Sequence, residues 1–210
     1  MTTSTADQRA RNRRGEGTRL REEIVQAAAA MLDEGATEDG ITLRAVARRV
    51  GVAAPSIYAH FVDRDAILLE VVRAAFDELS VHLSTAKARG TESAADELRA
   101  ICDAYLSFAL ERPQRYRILF GGTWDASRAK SSASVGDDAV ATLGQDAFNL
   151  FVSALDRCAA EGSSASTNTF ADAAALWAGL HGYASVRPVT KEFPWPDDVA
   201  QRIVTGLAKL

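Results

Sequence analysis

Two cysteines, five prolines, two methionines and three histidines in 210 residues are too few for several kinds of protein. Cys102 and Cys158 make neither a disulfide framework nor a metal site. No stretch approaches the roughly 18 consecutive apolar residues of a membrane-spanning helix, and the basic N-terminus lacks the apolar core of a signal peptide. A soluble, cytoplasmic, reduced protein is therefore expected. No Gly-rich phosphate loop, His-Glu-x-x-His, Cys-x-x-Cys or nucleophile elbow occurs. His60, His82 and His181 stand at no metal or nucleophile spacing, so neither an enzyme nor a bound metal or cofactor is expected. Apolar residues make up 47% of the chain, enough for a real core and too many for wholesale disorder.

The formal net charge is −4, which taken alone leans against a nucleic-acid partner. The distribution reverses that lean. Residues 1–21 carry six arginines (Arg9, Arg11, Arg13, Arg14, Arg19, Arg21) against Asp7 and Glu16, and residues 41–62 carry three arginines and no acid. Such clusters suit a solvated face as readily as a phosphate-binding surface, and charge alone leaves both open.

Nearly every periodic segment has helical spacing, and no convincing strand is found. Ile24, Ala27, Ala28, Met31 and Leu32 share one face of a first helix that Gly35 stops. Thr42 caps a short second helix, and Pro55 suits the first turn of a third over 54–60. Asp63 caps a long fourth helix reaching about Lys87. Further helices are expected over 92–111, from Pro113 to Phe120, over 137–161, from Thr167 or Thr169 to Arg187, and after Pro196. Residues 1–18 read as a disordered basic arm, and 123–136 as a long Ser- and Gly-rich loop.

The informative stretch is 43–61, LRAVARRVGVAAPSIYAHF. Two short helices joined tightly need a small residue at the crossing, a residue tolerant of left-handed backbone in the turn, and apolar residues locking the pair. Ala47, Gly51 and the set Val46, Val50, Val52 and Ile57 supply them in order. This is a helix-turn-helix pattern, whose second helix enters a DNA major groove.

At this point the chain resembles the TetR family of bacterial transcriptional regulators. Gly51-Val52, Ser56-Ile57-Tyr58-Ala59-His60-Phe61 and Arg64 occupy the places of its Gly-Val turn, its Ser-x-Tyr-x-His-Phe recognition helix and the basic residue opening the next helix. The family often has lysine where Arg64 stands; the charge is kept. The resemblance implies DNA contacts from Thr42, Arg44, Ala53, Ala54, Ser56, Tyr58, His60 and Arg64. Thr42 would offer its hydroxyl to a phosphate, Arg44 a base edge or the backbone, and Tyr58, His60 and Arg64 phosphate contacts. Ala53 and Ala54 can touch a thymine methyl but read no hydrogen-bond pattern, so specificity would lean on Arg44, DNA shape and an Arg9–Arg21 arm ordered on DNA.

The resemblance also implies an all-α architecture. A three-helix DNA-binding domain over 19–62 would precede a helical ligand-binding and dimerisation domain over 63–210. Cys102, Tyr105, Phe108, Phe120, Trp124, Phe148, Phe151, Trp177 and His181 are candidates for a largely apolar effector pocket, although each alone suits a plain core. Trp177 through His181-Gly182 resembles a Trp-x-x-x-His-Gly signature of one TetR subgroup. The last two helices would pair across a two-fold axis, giving a homodimer on a palindromic operator with half-sites about one DNA turn (~34 Å) apart. The expected function is that of a ligand-responsive regulator, more specifically a repressor, in which a small molecule biases the fourth helix. A helical small-molecule carrier and an architectural DNA binder without an inducer are the alternatives.

Overall fold

A computed structural model of the chain describes residues 16–88, 93–121 and 137–210. Among the described residues the structure is helical throughout, without strands. In chain order the helices are α1 (Glu16–Asp33), α2 (Leu43–Val50), α3 (Ala54–Tyr58), α4 (Arg64–Lys87), α5 (Ala94–Glu111) and α6 (Pro113–Phe120). They continue with α7 (Asp137–Ala141), α8 (Gln145–Ala160), α9 (Thr169–Val186) and α10 (Val199–Leu207). Single 3-10 turns stand at Glu38–Gly40 and Arg187–Val189.

The described residues fall into two compact units, one ending at Val71 and the other beginning at Val72. The first two turns of α4 thus belong with α1 to α3. The reason is burial: Ile67, Leu68 and Val71 are at most 1% exposed, alongside Ile24, Ala28, Ile41, Val46 and Ile57 of the same unit. Each such aliphatic side chain contributes about 1.5–3 kcal/mol of transfer free energy. Asp63 starts α4 by accepting the Ala66 amide at 2.8 Å. At the other end of the unit, α1 begins at Glu16, so the expected disordered arm does not extend to residue 18. Residues 1–15 lie outside the described residues.

The second unit is built on α5, which packs against α6, α8 and α9, while α9 also packs against α8 and α10. Leu98, Ile101, Tyr105 and Phe108 of α5 meet Phe151, Ala154 and Leu155 of α8 and Leu176 and Leu180 of α9 in one continuous core. Ser93 and Asn168 cap α5 and α9, accepting the Asp96 and Ala171 amides at 3.1 Å each.

One expectation is corrected here. The helix expected over 137–161 is two helices, α7 and α8, because Gly144 sits at φ +75° between them. A Cβ on Gly144 would lie 2.7 Å from Cε1 of Phe76, so the break is both conformational and steric. The loop expected over 123–136 lies outside the described residues.

Candidate nucleic-acid interface and aromatic cluster

Helix α2 is amphipathic over only two turns, with Leu43, Val46 and Ala47 buried and Arg44, Arg48 and Arg49 exposed. Thr42 has extended backbone, and its Oγ1 accepts the Ala45 amide at 3.1 Å, leaving the hydroxyl proton to donate elsewhere. Gly51 ends the helix at φ 79°, ψ 33°, and its amide and that of Val52 both donate to the Ala47 carbonyl at 3.0 Å. That left-handed residue turns the chain tightly enough for α3 to lie on α2, with Ile57 fully buried as the lock. On and around α3, Ala53 is exposed, Ala54, Ser56 and His60 are half-buried, and Tyr58 is 55% exposed.

The arginines divide into two kinds. Arg44 and Arg48 pair with no described residue. Arg49 donates to both carboxylate oxygens of Glu34, Nη1 to Oε2 at 3.1 Å. Arg64 is only 19% exposed and reaches Asp39 at 2.9 Å, Asp65 at 3.4 Å and Glu38 at 3.6 Å. Burial works against its charge, but the hydrogen bond to Asp39 and the charges of Asp65 and Glu38 outweigh this and raise its pKa further. Arg64 can therefore meet a phosphate only by exchanging these carboxylates.

The expected arm is corrected at its C-terminal end. Arg19 and Arg21 lie within α1, with Arg19 paired to Glu23 at 2.9 Å. Arg21 donates to the His60 carbonyl at 3.1 Å, pairs with Glu70 at 3.2 Å and covers the Phe61 ring at 4.4 Å. It fastens α1 to the end of the α3 segment. Arg9, Arg11, Arg13 and Arg14 lie outside the described residues.

In the second unit, five of the expected pocket residues meet. Phe120 has its ring centroid 4.8 Å from His181, 5.8 Å from Trp177 and 6.5 Å from Tyr105. Trp177 stacks on His181 at 6.0 Å, a consequence of their i, i+4 spacing on α9, and Tyr105 meets Phe151 edge-on at 6.0 Å. The polar centre is Tyr116. Its hydroxyl lies 2.7 Å from His181 Nδ1 and 3.2 Å from the Tyr105 hydroxyl. Tyr116 and Phe120 are themselves i, i+4 on α6, which puts both rings on one face of the helix. Burial lowers the His181 pKa, so the ring is neutral at pH 7, and burial raises those of both tyrosines.

The remaining candidates sit elsewhere. Phe108 faces His82 at 5.7 Å and Arg112 at 5.9 Å, and Phe148 pairs with Phe170 at 5.3 Å. Cys102 is fully buried, with its thiol pushed up by that burial, and joins the core. Trp124 lies outside the described residues.

The α2–turn–α3 unit with its helical body defines a helix-turn-helix protein. Residues 24–71 match the family model for bacterial regulatory proteins of the tetR family. Residues 98–210 match the model described as tetracyclin repressor-like, C-terminal domain. The chain belongs to the TetR family. It is 28% identical over 107 residues to HTH-type transcriptional regulators of Mycobacterium bovis and Mycobacterium tuberculosis, a stretch covering 50% of this chain and 45% of theirs. The match thus spans about half the length of those curated relatives. Among solved structures, a protein of unknown function from Rhodococcus sp. RHA1 is similar with a TM-score of 0.71 at 24% identity, over 90% of this chain and 91% of that one. A TetR family transcription regulator from Marinobacter aquaeolei VT8 has a TM-score of 0.63 at 17% identity, over 93% and 97%. The fatty acid degradation regulator FadR from Bacillus halodurans has a TM-score of 0.63 at 12% identity, over 95% and 97%. At these identities the likeness is one of fold.

Proposed function

We propose that the chain is a ligand-responsive transcriptional repressor that binds a palindromic operator as a homodimer and is released by a small, largely apolar effector. The observation that carries this reading is the α2–α3 unit, where Thr42, Arg44, Arg48, Ala53 and Tyr58 are exposed on an acid-free stretch, 41–62, that falls within the residues matching the family's DNA-binding model. Arg44 and Arg48 supply uncompensated charge for phosphates or a base edge. Thr42, Ser56, Tyr58 and His60 supply hydrogen bonds to the backbone, and Ala53 and Ala54 apolar contact with bases. Arg64 acts first by fixing the Glu38–Gly40 turn to α4, and at a phosphate only after exchange.

Effector binding draws support from the aromatic cluster around Tyr116 and His181, which joins a large apolar surface to a few convergent polar groups. Dimerisation through α9 and α10 draws support from α9, which is apolar on both sides. Ala173, Leu176 and Leu180 are buried, while Ala171, Ala175 and Ala178 are exposed, and Asp172 is its one acidic residue. A helix apolar all round is ordinarily covered all round.

Fluorescence anisotropy with a labelled duplex from the DNA upstream of the protein's own reading frame tests the reading, alongside light scattering for mass. A dimer binding a palindrome in that DNA well above random duplex, and leaving it on addition of an apolar small molecule, is the expected result. A monomer with no preference over random DNA would sink it.

A further inference from the structure

Arg21 lies in the second turn of α1, and its guanidinium joins three segments of the first unit. Nη1 donates to the His60 carbonyl at 3.1 Å, and Nη2 pairs with Glu70 of α4 at 3.2 Å. The guanidinium carbon stands 4.4 Å from the centre of the Phe61 ring. Phe61 is 2% exposed, so the ring is a fixed floor beneath the cation. Two forked donors and a flat face are engaged at once, a combination that a lysine cannot reproduce. The ion pair alone would do little, since the Arg21 side chain is 42% exposed.

The segment that Arg21 grips has little else to hold it. Helix α3 has five residues, and Ala53 at its N-cap gives it no side-chain hydrogen bond. A helix this short is marginal without tertiary support. Beyond Tyr58 the chain runs on as a turn, in which the His60 and Phe61 amides both donate to the Ile57 carbonyl at 2.9 Å. The His60 carbonyl accepts from no backbone amide among the described residues, and Arg21 supplies its donor. Ile57 anchors the inner face, but Tyr58 is 55% exposed and takes its direction from the backbone on either side. A carbonyl fixed on His60, two residues after Tyr58, therefore sets where both side chains begin.

We propose that Arg21 is a positioning residue for DNA binding: without touching DNA, it holds the 58–61 segment where Tyr58 and His60 meet the phosphate backbone. The proposal rests on the DNA-facing reading of α3 and adds a residue of α1 that acts through it. Its charge is not what DNA sees, because the guanidinium is spent on Glu70 and a carbonyl, whereas Arg44 and Arg48 have no described partner. Binding groups must be held to about half an ångström of their productive places. Phosphate contacts fix the register of a protein on its duplex. Releasing the segment therefore costs the matched duplex most, while non-specific binding, which follows net charge, changes little.

The probes are a duplex enriched by the unaltered full chain from a random-sequence library, and an unselected random duplex. Anisotropy titrations at several salt concentrations should show Arg21→Met weakening the enriched duplex by about tenfold or more and the random duplex by less than about threefold. The slope of log affinity against log salt should stay within about half a unit, whereas losing a phosphate contact would lower it by about one. Arg21→Lys keeps the charge and loses the fork, so it should recover no more than about threefold of that loss. In a His60→Ala background the cost of Arg21→Met should shrink, because the two residues act in series. Hydrogen exchange of the free protein should speed up at the His60 and Phe61 amides and hold at Val46, Ala47 and Ile101, which separates local release from general unfolding. Full rescue by lysine, a slope lowered by one, equal losses on both duplexes, or protection falling alike throughout the chain overturns the proposal. Arg21→Lys carries the same comparison if Arg21→Met does not fold. Failure of the unaltered chain to enrich any duplex removes the DNA-facing reading and the proposal with it, while the contrasts among variants remove the proposal alone.

Discussion

The Tyr116 hydroxyl and His181 Nδ1 stand 2.7 Å apart, joining α6 to α9 through a polar contact inside an aromatic cluster. The contact reads differently from a surface hydrogen bond, because Tyr116 is 9% exposed and burial opposes any charge on His181. The Tyr105 hydroxyl, 3.5 Å from the same nitrogen, is the longer second partner.

Tyr116→Phe should therefore destabilise the chain by about 1–2 kcal/mol, the loss of one buried hydrogen bond, with the Tyr105 hydroxyl at 3.5 Å the only partner left to His181 Nδ1 among the described residues. Urea denaturation monitored by circular dichroism measures it. A change under a few tenths of a kcal/mol would mean that water replaces the hydroxyl freely.

The same histidine sets a pH dependence. Its folded pKa lies below the ordinary 6.5, so the unfolded chain takes up the proton first as pH falls. Stability attributable to His181 is thus complete above about pH 6.5 and declines below it, down to the lowered folded pKa. His181→Gln should flatten that part of the profile. Comparing the two proteins between about pH 7.5 and 5.5 isolates the histidine from the carboxylates, which titrate in both.

Glu97 offers an asymmetric pair of substitutions. Its carboxylate is 4% exposed, sits 3.4 Å from Lys87 Nζ and is paired with Arg157, whose side chain is 48% exposed. Removing the arginine leaves a buried anion with one weaker partner, whereas removing the carboxylate leaves two cations that can return to water. Arg157→Met should cost about 1–3 kcal/mol and Glu97→Met distinctly less. Thermal unfolding of both variants checks the order, and the reverse order would show that Glu97 is better solvated than its burial indicates.

Two glycines separate backbone strain from steric strain. Gly51 and Gly144 both have left-handed backbone, but a Cβ on Gly51 meets nothing within 4 Å, while one on Gly144 meets the Phe76 ring at 2.7–3.1 Å. Gly51→Ala should cost about 1–2 kcal/mol, the conformational penalty alone. Gly144→Ala should cost more, because an aromatic ring cannot give way as the end of a flexible chain can. Equal losses in denaturant titrations would remove the steric part of the argument.

The same two positions mark where the sequence could be read and where it could not. Gly51 follows a short amphipathic run and precedes Val52, so its turn is legible from spacing alone. Gly144 sits between residues with continuous helical periodicity, and only the approach of Phe76, distant in the chain, reveals the break. The arginines of the first unit show the same division. The charge of Arg64 is evident from composition, but its three carboxylate partners come from the Glu38–Gly40 turn and its own neighbour, a tertiary arrangement that no local pattern encodes. Arg21 read as part of a basic arm because charge runs carry no signal of a carbonyl or ring waiting across the fold. The polar role of Tyr116 is hidden for a like reason: it lies in a bond to α9, which its own helix does not encode.

That division of the arginines yields the sharpest test of the DNA-facing reading. Arg44 and Arg48 carry charge with no described partner, whereas Arg49 is compensated by Glu34 and Arg64 by Asp39, Asp65 and Glu38. A cation that meets a phosphate releases counterions, and each one removed lowers the slope of log affinity against log salt by about one. Arg44→Ala should weaken binding to operator DNA and reduce that slope by about one, with fold and stability unchanged. Arg49→Ala should leave the slope nearly intact, because its guanidinium must first give up Glu34. Arg64→Ala should act mainly through stability, by freeing the Glu38–Gly40 turn from α4. Anisotropy titrations at several salt concentrations, with urea unfolding of the same variants, separate the three outcomes. If Arg49 and Arg44 shift the slope alike, the pairing with Glu34 does not restrain Arg49 on DNA, and the distinction between paired and unpaired arginines fails.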